Sequence, residues 1–243
     1  MKSFEFDHFD GYIIPTIDGA KVLVDTGCPI TVSSGSTLPS LGDIWMTPAT
    51  NEFNPQVMSG FRHEDIEIEV LLGRNYLALN PFLVDWDART ISFNATDVPE
   101  GDEIAFRVVM AGATVDAEIA DQEVALIIDT GAKISFLGHH KFQDSPVIGS
   151  VEDYHLSTGH FDAEVIPAPF SFGDVKMELY AGRLDNALFD QLRTVSIDGI
   201  LGNDIYDHYH QVWYDFPGNR LILIDRRENA LTTERVSDTV RLW

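Results

Sequence analysis

The chain has a single cysteine, Cys28, among its 243 residues. No intramolecular disulfide can form, which removes the disulfide-stapled class of small secreted domain. No apolar run approaches the roughly 18 residues that a membrane-spanning helix requires. The opening stretch, Met1-Lys2-Ser3-Phe4-Glu5-Phe6-Asp7, carries acids early and lacks the apolar core of a secretory signal. Cations are scarce: 16 Lys and Arg against 39 Asp and Glu give a net charge of −23. A surface of that sign repels nucleic acid and anionic membrane, so neither is expected as a partner. Together these absences read as a cytoplasmic protein. Low-complexity segments are also absent, and helix signals are few and short.

What is present has the balance of a globular protein, 44% apolar and 23% charged. Short apolar or alternating runs occur at 11–17, 21–25, 64–70, 104–109, 113–119, 123–129, 163–172, 174–180 and 219–225, separated by turn residues. Brief helices are expected after Gly73, after Gly202 and over 184–192. The pattern predicts an all-β protein.

An internal repeat organises the chain. The segment 22–34, VLVDTGCPITVSS, matches 126–138, LIIDTGAKISFLG. The segment 70–93, VLLGRNYLALNPFLVDWDARTISF, matches 199–224, GILGNDIYDHYHQVWYDFPGNRLILI. A hairpin, D-T-G, an apolar pair followed by Gly, and a closing strand thus occur twice in one order. A polar Pro/Gly stretch at 96–102 divides the copies. We place an N-terminal unit at 1–98, with the first D-T-G, and a C-terminal unit at 99–243, with the second.

One D-T-G is a weak signal, because Asp and Gly are common turn formers. Two copies related by a pseudo-twofold would set Asp25 and Asp129 side by side at the ends of apolar strands. Neighbouring carboxylates resist double ionisation and share a proton; aspartic-protease dyads are the standard example. Such a pair can activate a water with its ionised oxygen and hydrogen-bond a carbonyl with its protonated one. Gly27 and Gly131 would permit tight turns and close amide approach. Thr26 and Thr130 could bond across to one another.

These motifs together resemble the aspartic peptidase superfamily of pepsins and retropepsins, over roughly residues 10–95 and 104–225. The resemblance implies a bilobal acid-protease fold of two β-barrel-like lobes related by the pseudo-twofold, with few short helices. It implies an aspartic endopeptidase acting on extended peptides. Asp25 and Asp129 would be catalytic, supported by Thr26, Gly27, Thr130 and Gly131, with no metal and no cofactor. Each lobe is the size of a retropepsin subunit, so one chain would suffice and a monomer is expected. On this resemblance no prosegment precedes the first lobe. Where pepsins carry Ser or Thr after D-T-G, this chain has Cys28 and Ala132, which implies a less acidic working range.

The resemblance also implies a substrate-covering hairpin, the flap, between each D-T-G and its apolar-apolar-Gly. The second interval has room for one. Its segment 154–167 reads as strand, turn, strand, with Tyr154, Ser157, Thr158, Gly159 and His160 as candidate substrate contacts. The first interval is shorter, leaving at most a stub at Trp45 to Asn54. His155 and His160 read as exposed hairpin histidines. His208 and His210 fall in a segment expected to be helical, where a spacing of two prevents a shared metal. Residues 2–9 and 236–243 are expected to share a sheet beneath both lobes. A non-catalytic peptide-binding module on the same fold is the alternative reading.

Overall fold

The computed structural model describes residues 1–243 apart from 10, 34–66, 110–111, 156–158, 186, 229–238 and 243. The fold is all-β, with two large sheets and two α-helices, α1 (Arg74–Leu77) and α2 (Ala187–Thr194), among the described residues. Neither helix is long and apolar enough to cross a membrane.

Each copy of the repeat builds the same local pattern. In the first, β2 (Tyr12–Ile17) and β3 (Ala20–Val24) form a hairpin. Asp18 and Gly19 both take positive φ in its two-residue turn, the geometry that matches strand twist. In the second, β10 (Gly112–Ile119) and β11 (Gln122–Ile128) turn through Ala120 and Asp121, again both at positive φ. The strand β5 (Val70–Leu72) then lies parallel to β3, and on its other side antiparallel to β4 (Val32–Ser33). Its counterpart β16 (Gly199–Leu201) lies between β11 and β12 (Phe136–Gly138) in the same senses. Every residue of β5 and β16 is buried, as their unbroken apolar sequences require. The expected strand at 64–70 begins only at Val70 among the described residues.

Six antiparallel strands join the two copies. They run β1 (Lys2–Phe9), β7 (Thr90–Phe93), β6 (Phe82–Asp85), β17 (Tyr209–Asp215), β18 (Arg220–Arg226) and β8 (Asp102–Ala105). The first three come from one copy and the last three from the other. β6 meets β17 in the middle with Phe82 opposite Tyr214, their rings stacked at 4.5 Å. The aspartate repeated before each closing turn has a local cause. Asp85 accepts from the Ala88 amide at 2.8 Å and Asp215 from the Gly218 amide at 2.9 Å.

The C-terminus departs from expectation. Strand β1 does join the shared sheet, but β19 (Arg241–Leu242) pairs with β13 (Gly149–His155) in the other sheet. The shared sheet closes on β8 instead, and Val240 fills an apolar cluster with Val151, Leu188 and Phe189. The segment 203–207 is a 3₁₀ turn, and Tyr209 already begins β17, so His210 lies on a strand. His208 is buried with Nε2 at 2.5 Å from the Glu178 carbonyl, and His210 pairs with Asp87.

Candidate active site

Strands β3 and β11 end at Val24 and Ile128, each followed by D-T-G. The amides of Asp25 and Asp129 are held at 3.0 and 2.9 Å by the carbonyls of Leu72 and Leu201 on the parallel neighbours. This is why an apolar pair recurs before Gly73 and Gly202: it lines up the strand that fixes each aspartate.

The threonines lock the two turns together. The Thr26 hydroxyl donates to the Ile128 carbonyl at 2.9 Å and accepts from the Thr130 amide at 2.9 Å. The Thr130 hydroxyl donates to the Val24 carbonyl at 2.8 Å and accepts from the Thr26 amide at 3.0 Å. Both side chains are essentially inaccessible to water. Four reciprocal bonds therefore join segments 104 residues apart and satisfy groups that would otherwise be buried unpaired.

That lock brings Asp25 and Asp129 together. The Asp129 carboxylate accepts from Gly131 N at 2.8 Å and from Gly27 N, in the opposite turn, at 3.2 Å. Asp25 accepts from Cys28 N at 2.7 Å. The glycines are required sterically. A Cβ at Gly27 would stand 2.4 Å from the Asp129 carboxyl carbon, and one at Gly131 would stand 2.6 Å from that of Asp25. Asp25 is buried while Asp129 is half-buried. Burial and then the negative Asp129 raise the Asp25 pKa well above the usual carboxylate range. Burial, then the charge of Asp25, also pushes the Cys28 thiol up to about 12. The thiol stays neutral and donates to the Ile30 carbonyl at 3.1 Å.

No protein-family model matches this chain, and no curated protein matches it.

The residues after each apolar-apolar-Gly brace the turns. Asn203 donates to the Thr130 carbonyl and to the Gly11 carbonyl of the first copy, both at 2.9 Å. Its counterpart Arg74 reaches the other way: a Cβ on Gly112 would meet its guanidinium at 2.3 Å. Asp204 accepts from Ser135 N and Oγ at 2.9 and 2.7 Å, as Asn75 accepts from Thr31 N and Oγ1, both at 2.7 Å.

The hairpin of β13 and β14 (Gly159–Phe172) pairs Tyr154 with His160 and His155 with Gly159. Its tip residues Ser157 and Thr158 lie outside the described residues, as does Trp45 to Asn54. Gly159 has φ of 77°, and His160 is exposed beside Glu152 and edge-on to Tyr154. The base of the hairpin is fastened near both turns. Tyr154 packs on the cluster that contains Cys28 and Leu23. Asp153 accepts from the hydroxyl of Tyr12 in the first copy and from Lys133 N, four residues beyond Asp129. Burial raises the Asp153 pKa to about 6 despite the Tyr12 hydroxyl and the positive Lys133.

Three features of this site were missed in the sequence: the Tyr12–Asp153 contact, the inward Lys133 and the placement of His155. The first joins residues 141 apart, and no local pattern marks such a pair. Period-2 alternation from Val151 through Asp153 to His155 was the available signal for the last. Among the described residues no group of three His, Cys, Asp or Glu side chains is placed to hold a metal ion.

Proposed function

We propose that this chain is an aspartic endopeptidase of the bilobal acid-protease fold, with Asp25 and Asp129 as its catalytic pair. The observation that carries the reading is the reciprocal threonine lock, which holds two D-T-G carboxyls together at the ends of parallel-flanked strands. A pair of turns meeting by accident would not require a glycine against each opposite carboxyl.

In this reading Asp25, raised by burial and by its neighbour, carries the shared proton. Asp129 serves as the base and takes a proton from the water it orients. The resulting hydroxide oxygen bonds to the peptide carbonyl carbon, while Asp25 gives its proton to the carbonyl oxygen. Collapse of the tetrahedral diol returns a proton to Asp25, passes one from Asp129 to the amide nitrogen, and breaks the C–N bond. The extended substrate lies beneath the 149–172 hairpin, bound by main-chain hydrogen bonds. Its two lobes are 1–98 and 99–243, and the monomer is sufficient because one chain supplies both carboxyls. The peptide is the partner, and a cytoplasmic setting accords with the lone reduced cysteine.

The decisive experiment incubates wild type, Asp25→Asn and Asp129→Asn with a diverse peptide mixture between about pH 3 and 8, with and without a statin-type transition-state mimic. Cleavage by wild type that is abolished by either substitution and blocked by the mimic is expected. Peptide binding without cleavage at any pH would instead favour a non-catalytic peptide-binding module.

A further inference from the structure

Three parts of the chain meet on one carboxylate beside the dyad. Asp153 lies on β13, where alternation puts it on one face with Val151 and His155. Val151 and Asp153 are buried, and His155, expected in solvent, is half-buried. The Asp153 carboxylate accepts from the Tyr12 hydroxyl of the first copy. It also accepts from Lys133 N, in the segment after the second D-T-G, at 3.2 Å, and from Tyr154 N of its own strand at 2.7 Å. All three partners donate, so this place calls for an acceptor.

The surrounding contacts tie this carboxylate to the dyad. Lys133 stands four residues after Asp129. Its Nζ crosses to the hairpin and donates to the Glu152 carbonyl at 2.7 Å, and it lies 5.3 Å from the centre of the Tyr12 ring. Gly11, next to Tyr12, packs on Lys133 so closely that a Cβ there would stand 3.2 Å from the Lys133 Cβ. Asn203 in turn holds the carbonyls of both Gly11 and Thr130. In the first copy the place of Lys133 falls to Pro29, which has no N–H to give a carboxylate.

We infer that Asp153 is a positioning residue for substrate: its carboxylate fixes the 149–172 hairpin relative to the Asp129 turn, by joining it to Tyr12 of the first copy and to Lys133 N of the second. This inference rests on the peptidase reading of the site. The dyad itself is held by the threonine lock. Asp153 therefore acts on how the extended peptide is gripped and not on the chemical step. A carboxylate is needed as such. In Asp153→Asn either orientation of the amide turns its NH2 toward a backbone N–H, that of Tyr154 or that of Lys133, and one of the two loses its acceptor. Tyr12→Phe removes only the hydroxyl and keeps the ring against Lys133.

Kinetics and binding on the full chain test it. Wild type, Asp153→Asn and Tyr12→Phe are compared for kcat and KM on one peptide, and for affinity toward the statin-type mimic. Asp153→Asn is expected to raise KM and weaken the mimic by about tenfold, with kcat within about twofold of wild type. Tyr12→Phe is expected to shift both in the same direction by a smaller factor. A role confined to folding would lower kcat through the fraction of active molecules and leave KM in place. That result, or an unchanged KM in both variants, overturns the inference. If Asp153→Asn does not fold, Tyr12→Phe decides by the same criterion, since it retains the carboxylate and the ring. If wild type binds the mimic and cleaves nothing, the peptidase reading fails and affinity alone decides the positioning. Weaker binding in the variants then supports it, and equal binding overturns it.

Discussion

At the scale of single residues, Asp204 and Asn75 show how equivalent positions diverge. Both accept from a backbone amide and a hydroxyl in the turn they brace. Asn75 is exposed, whereas Asp204 is 4% exposed and its Oδ2 has no hydrogen-bond partner among the described residues. Burial raises the Asp204 pKa to about 8 from an ordinary 3.8, so the folded protein holds this proton where the unfolded chain has lost it. The stability linked to that proton is present at low pH and is lost as pH rises from about 4 through about 8. Asp204→Asn keeps a neutral acceptor at all pH. Urea denaturation should show the advantage of Asp204→Asn over wild type growing by on the order of 3–4 kcal/mol between pH 5 and pH 8. Asp153, raised to about 6, contributes in the same direction to both proteins and cancels in the comparison.

At the scale of elements, the threonine lock turns two separate strand ends into one unit. Each hydroxyl donates to a carbonyl and accepts from an amide, all buried. Thr26→Ala leaves the Thr130 amide and the Ile128 carbonyl unpaired, an expected loss of about 2–4 kcal/mol in urea denaturation. Thr26→Ser keeps the hydroxyl and should lose less than about 1.5 kcal/mol, chiefly from the missing methyl. Equal losses in the two variants would show that packing of the methyl, rather than the hydroxyl bonds, holds the turns together.

At the scale of the molecule, the two copies are joined above and below. Below the dyad the β6–β17 seam carries stacked Phe82 and Tyr214. On the hairpin side the Tyr12 hydroxyl reaches Asp153 across the copies. The equivalent end of β10 opens Gly112-Ala113 and carries no phenol to make such a contact. Tyr12→Phe should therefore loosen one region selectively. Amide hydrogen exchange is expected to quicken over 149–165 and to stay unchanged over 82–93. Uniform quickening would mean that Tyr12 supports the whole fold and not the hairpin. The C-terminal strand β19 adds to the outer edge of β13 and gives the hairpin base a third support.

The sequence by itself determined the repeat, the all-β class and the two D-T-G turns, because those depend on short-range apolar runs and on Asp, Thr and Gly at fixed local spacing. It also marked the helix after Gly73 and the one near 184–192, which form at 74–77 and 187–194. The tertiary structure alone decided where the C-terminus goes, since Val240 finds its apolar cluster only after distant strands assemble. It alone decided that Asp25 is the more buried carboxyl, that Tyr12 reaches Asp153, and that His155 is half-buried while His160 is exposed. Those outcomes rest on burial and on contacts between residues more than a hundred positions apart, which periodicity in one strand does not encode.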